Sequence, residues 1–97
     1  MSKHKTSELT GPLLDWAAEM AGKTGLSRYD ALRILMLIDK YEIALTPDQG
    51  GDHWTAWATN PDDESDTRHM GEGETAQIAI CRAVVRSVFG DEIELPE

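Results

Sequence analysis

Four side chains in this sequence, His4, His53, His69 and Cys81, are of the types that ligate transition metals. A zinc site uses such nitrogen and sulfur donors, and its sequence signature is local pairing, as in Cys-x2-Cys or His-x3-His. None of the four shows that spacing, so no metal is expected and the histidines read as incidental surface residues. The acids Asp62, Asp63, Glu64 and Asp66 are a second gathering of donor atoms. They lack the Gly and the distal Glu that a calcium-binding EF-hand loop holds at fixed offsets, so they read as a solvated loop.

Covalent chemistry has little to work with. Cys81 falls on the apolar face of a helix-like run, where a small buried thiol is inert. The sequence contains no Gly-x-Ser-x-Gly elbow, phosphate loop or dinucleotide fingerprint. Ser7, Glu8 and Asp15 cluster around a helix start, where hydroxyls such as those of Ser7 and Thr10 satisfy orphan backbone N–H groups. No catalytic residue and no cofactor is expected, and the chain reads as a non-enzyme.

The sharper features are Trp54, Trp57, Arg82 and Arg86. An exposed Trp beside an Arg is a common anchor for a protein partner or a stacked ligand. These four are the candidate binding residues. The competing reading is structural, with each Trp covered by a helical layer and the two Arg paired with Glu92 or Glu94. Burying a Trp removes ~150–250 Å² from water, an upper bound of roughly 4–6 kcal/mol at ~25 cal/mol per Å². That magnitude makes a core role the default.

The elements that must position these residues have clear signals. A helix is predicted from about Gly11 to Ala21, with Thr10 as N-cap, Pro12 in the first turn and Leu9 and Leu14 at the staple positions. Leu13, Trp16, Ala17, Met20 and Ala21 recur at helical spacing and are expected to face the core. Gly22 supplies a stop. A second helix is predicted to open at Ser27, with Asp30 in a weak capping box. Its dense run Ala31, Leu32, Ile34, Leu35, Met36, Leu37 and Ile38 reads as largely buried.

Tyr41–Thr46 and His53–Ala58 read as a hairpin around the turn Pro47-Asp48-Gln49-Gly50-Gly51-Asp52. On the second strand Trp54, Ala56 and Ala58 share one face and Trp57 takes the other, so one Trp is expected in the core and one outside. Residues 60–73, rich in acids and broken by Pro61, Gly71 and Gly73, read as a mobile acidic loop. The last helix is predicted over Glu74–Phe89. Its broad apolar surface is opposed by a stripe of Thr75, Ala79, Arg82 and Arg86, and Gly90 ends it. The alternation Glu92-Ile93-Glu94-Leu95 reads as a short strand or an extended tail packed through Ile93 and Leu95. Residues 1–5 read as a flexible tail.

Composition bounds the rest. Ninety-seven residues make one domain with one modest core. No apolar run approaches a membrane span, and no apolar stretch follows the basic start, so neither an anchor nor a leader is expected. The single Cys81 fits a reducing cytoplasm. The net charge of −9 is uneven: residues 1–40 hold six bases and five acids, and residues 41–97 hold three bases and thirteen acids. Phosphate neutralisation needs the opposite balance, which argues against nucleic acid and against a membrane surface. A helix-turn-helix reading of Pro12–Lys40 fails too, because its second helix is too apolar at the centre to read a groove. An acidic face suits solubility or a basic partner.

A family resemblance adds to this. The stretch Lys5-Thr6-Ser7-Glu8-Leu9-Thr10-Gly11, followed by Leu14-Asp15-Trp16-Ala17, resembles the N-terminal signature of the phage NinX-like family. Ile38-Asp39-Lys40-Tyr41-Glu42-Ile43-Ala44-Leu45 is similar to that family's middle segment, and Trp54-Thr55-Ala56-Trp57 follows in order. The ending Phe89-Gly90-Asp91-Glu92-Ile93-Glu94-Leu95-Pro96 is similar to its closing pattern. The centre departs from the family. Arg33-Ile34-Leu35-Met36 stands where a Gly-Gly-Pro turn is common, and Gly71-Glu72-Gly73-Glu74-Thr75 where Gly-Pro-Thr-Pro is common. The resemblance implies a small phage or prophage accessory protein in the cytoplasm of a bacterial host. It brings no catalytic residues.

The sequence thus predicts an α+β domain, with two or three helices packed on a small, mainly antiparallel sheet. It predicts an acidic module that binds a host or phage protein, with a small-ligand, nucleotide-type binder as the alternative. A homodimer is expected if the last helix carries more apolar surface than one small domain can cover.

Overall fold

The computed structural model describes residues 2–22, 31–63 and 67–95. Its elements are β1 (Ser2–Lys5), a 3-10 turn (Thr6–Glu8), α1 (Gly11–Gly22), α2 (Ala31–Lys40), β2 (Ala44–Pro47), β3 (Trp54–Thr59), β4 (Arg68–Gly73), α3 (Ala76–Phe89) and β5 (Glu92–Leu95). The class is α+β, as expected. The strands form an antiparallel sheet in the order β2-β3-β4 and a separate antiparallel ladder of β1 with β5. The expected opening of the second helix at Ser27 lies outside the described residues.

Helix α3 is the centre of the molecule. Thr75 starts it, its hydroxyl accepting from the Ile78 N–H at 3.1 Å. Gly90 ends it at φ 84°, with its N–H donating to the Arg86 carbonyl at 2.9 Å. Ile80, Ala83 and Val84 join a core cluster with Ala56, Ala58, Leu37 and Tyr41. Cys81 and Val85 join a second cluster with Leu14, Ala17, Ala18, Ile93 and Leu95. Most of the broad apolar surface of the last helix is therefore covered within the chain, while Val88 remains 37% exposed.

Each of the two segments read as loose contains a strand. Residues 60–73 are not all loop, because Arg68–Gly73 pairs along the whole of β3, from Thr59↔Arg68 to Trp54↔Gly73. The strand carries no apolar alternation because Gly71 and Gly73 hold its buried positions. A Cβ on Gly71 would lie 2.5 Å from the Ala79 carbonyl oxygen and would also strike the Ala83 backbone. Small residues on both elements let the strand lie directly on α3.

The basic start is likewise no tail. Ser2–Lys5 pairs with β5, placing Lys3 opposite Glu94 and Lys5 opposite Glu92, a favourable cross-strand arrangement of charge. Thr6, fully buried, then donates its hydroxyl to the Gly90 carbonyl at 2.9 Å, and its N–H reaches the Asp91 carbonyl at 2.9 Å. The two ends of the chain are stitched together over the C-terminus of α3.

Two helix faces differ from expectation. In α1 the buried row is Leu14, Ala17, Ala18 and Ala21, while Trp16 and Met20 are exposed. The Ala row wins because it lets α1 approach α3 closely. In α2, read as largely buried, Leu32, Leu35 and Met36 are 54%, 62% and 42% exposed, whereas Arg33 is 1% exposed. Arg33, Leu37 and Tyr41 form the inward row, one helical turn apart.

Candidate functional site

The sheet decides the fate of the two hairpin tryptophans. In β3, Ala56 and Ala58 face α3 and are fully buried. Trp54 shares their face and packs, partly buried, against the same cluster. Trp57 points the other way and is 37% exposed, level with Ala44 on β2 and Met70 on β4. Trp57 is thus the outward residue and Trp54 a core residue. The hairpin itself stands as expected, closed by the Asp48 N–H donating to the His53 carbonyl at 2.7 Å and Gly51 to Asp48 at 2.9 Å.

The arginine stripe is a clamp. Arg82 donates from Nε to the Leu9 carbonyl at 2.9 Å and from Nη1 to the Glu72 carbonyl at 2.7 Å. Arg86 donates from Nη1 to the Met70 carbonyl at 3.2 Å and from Nε to Asp91 Oδ1 at 2.9 Å. Met70 and Glu72 are alternate residues of β4, which is an edge strand of its sheet, so their carbonyls turn to the same side. The two guanidiniums cap carbonyls that an unprotected edge would offer to another strand. Neither Arg pairs with Glu92 or Glu94, which stand opposite Lys5 and Lys3.

The structure therefore separates the four sequence candidates. Trp54 packs against the core, and Arg82 is engaged by two backbone carbonyls. Trp57 and Arg86 line one cleft of about 550 Å³ together with Arg68, His69, Met70 and Asp91. Sequence reasoning missed Arg68, because it sits on the strand that was read as loop. Arg68 is exposed, and among the described residues no hydrogen bond or ion pair engages its guanidinium.

A second cleft, of about 280 Å³, lies between the starts of α1 and α3 and is lined by Leu14, Asp15, Ile78 and Cys81. Cys81 is 5% exposed. Burial pushes its thiol up to about 11; the Arg33 charge lowers it and the Asp15 charge raises it by smaller amounts. A thiol so held carries little thiolate at neutral pH and is a weak nucleophile. Tyr41, which donates to the Ala21 carbonyl at 2.9 Å, is also held above its usual range, first by burial and then by the Asp62 charge.

The third feature is the outward face of α2, with Leu32, Leu35 and Met36. Its orientation is fixed from beneath. Arg33 forms an ion pair with the Asp15 carboxylate and donates from Nη2 to the Asp15 carbonyl at 3.0 Å. Lys40 reaches the Gly22 carbonyl at 3.3 Å.

Among the described residues, no group of three or more His, Cys, Asp or Glu is placed to hold a metal ion. No helix among them is long and apolar enough to cross a membrane. The chain matches no protein-family model and no curated protein, so the NinX-like resemblance rests on the sequence signature alone.

Proposed function

We propose that this chain is a non-enzymatic, acidic protein-interaction module that docks a partner on the outward face of α2. The observation that carries the reading is the inversion of that helix. Three large aliphatic side chains face solvent while the charged Arg33 is 1% exposed. Scattered apolar residues on a surface need no explanation, but three within one and a half turns form a patch. Covering them from their present exposure is worth about 2–4 kcal/mol. The buried arginine holds the helix in this orientation, so the exposure is a built feature and not a loose end.

The partner reads as a host or phage protein with a basic rim, since the chain carries a net charge of −9 and like charge would oppose association. The accessory role in a phage-infected bacterial cytoplasm comes from the NinX-like resemblance at the two ends. The test is affinity capture from host cells with the wild type beside Leu35→Glu. Recovery of one stoichiometric partner by the wild type and its loss in the variant supports the reading. An empty capture, or a partner that the variant retains, removes it. The mass of the purified protein by light scattering reports whether the partner is a second copy.

A further inference from the structure

A second surface feature stands independently of the α2 face. The acidic half of the chain, residues 41–97, has three bases against thirteen acids. Two of those three bases, Arg68 and Arg86, line the cleft beside Trp57. Asp91 lines it too, so the cleft gathers two bases and one acid where an aromatic ring is exposed.

The components differ in what they have left to give. Arg86 is committed to the Met70 carbonyl and to Asp91, so its charge is largely balanced. Arg68 is exposed and uncommitted among the described residues. It pairs in register with Thr59, two positions along β3 from Trp57. Residues two apart on a strand share a face, so Arg68 and Trp57 stand on the same side of the sheet as diagonal neighbours. A diagonal of this kind spans roughly 7–8 Å between strands, within reach of two long side chains and of a ligand laid between them.

An indole face takes a planar ring by stacking, and a guanidinium takes a phosphate in bidentate fashion. We propose that this cleft binds a mononucleotide, with its base on Trp57 and its phosphate on Arg68. The cleft volume of about 550 Å³ is that of a small-molecule site. The surrounding charge sets the size of the ligand. A chain of net charge −9 repels a polyanion along its whole length, whereas a single phosphate meets the local field of Arg68 beside the Arg86–Asp91 pair. The site therefore selects a mononucleotide over a nucleic acid strand.

The test is calorimetric titration of the full chain at low salt with AMP, GMP, CMP and UMP, the matching nucleosides and inorganic phosphate. At least one mononucleotide binds saturably, and its nucleoside and inorganic phosphate each bind at least about tenfold more weakly. Arg68→Gln weakens the mononucleotide by about tenfold or more. Trp57→Leu weakens it comparably, while Trp57→Phe, which keeps a ring, retains binding. Circular dichroism confirms that each variant folds. No saturable heat from any mononucleotide in the low millimolar range overturns the proposal. So does unchanged affinity in both Arg68→Gln and Trp57→Leu, or inorganic phosphate binding as tightly as the nucleotide. None of these results bears on the α2 face.

Discussion

Arg33 and Asp15 join α2 to α1 through two contacts, an ion pair with the carboxylate and a hydrogen bond of 3.0 Å to the backbone carbonyl of the same residue. The pair is asymmetric. Arg33 is 1% exposed and Asp15 32%, and among the described residues the Arg33 Nε has no hydrogen-bond partner. The cation is the member that has left water, and the carboxylate is the one that still touches it.

That asymmetry orders two substitutions. Asp15→Ala strands a buried guanidinium and is expected to lower unfolding free energy by about 3 kcal/mol or more. Arg33→Met removes the cation, fills most of the volume and leaves a carboxylate that water can reach, so a loss of about 1–2 kcal/mol is expected. Urea denaturation of the two variants measures the order. A larger loss for Arg33→Met would mean that the pair does not set the position of α2.

Gly71 tests the packing of β4 on α3. A methyl at this position meets the Ala79 carbonyl oxygen and the Ala83 backbone, groups that cannot swing away as a flexible side chain would. Gly71→Ala is expected to cost about 2–3 kcal/mol. Gly51→Ala is the comparison, since its φ is 74° but its Cβ meets nothing within 4 Å, and about 1 kcal/mol is expected there. Thermal unfolding of both, followed by circular dichroism, reads the difference.

Cys81 predicts an alkaline weakness. Its thiol is raised from 9.0 to about 11 by burial, so the unfolded chain ionises first. The contribution is fully present below the unfolded value and is lost as pH rises from about 9 towards 11, in total about 2–3 kcal/mol. The raised Tyr41 hydroxyl adds a loss of the same sign once pH passes its unfolded value. The denaturation midpoint is expected to fall across this window, and Cys81→Ala to fall less steeply. A thiol reagent at pH 8 should label the native protein far more slowly than the urea-unfolded chain.

Much of this fold was legible in the sequence because its helix and turn signals are local. Gly90 ends α3 and the Pro47–Asp52 turn closes the hairpin, each by chemistry confined to a few residues. What was illegible depends on distant partners. Strand β4 shows no alternation because its inward positions are Gly71 and Gly73, a pattern that makes sense only with α3 against it. The buried face of α2 escapes the sequence pattern because Arg33 counts as polar until Asp15, eighteen residues away, meets it. The same holds at the site. Alternation put the two tryptophans on opposite faces but could not say which was outside, and Arg68 was invisible until its segment became a strand.

The direct test of the proposed docking face is site-specific photocrosslinking in cells. A benzoylphenylalanine at Leu35, on the exposed side of α2, is compared with one at Asp48, in the exposed hairpin turn. A single covalent adduct of defined mass at Leu35, absent at Asp48, is the predicted result. No adduct at Leu35, or the same adducts from both positions, would contradict the proposal that a partner docks on α2.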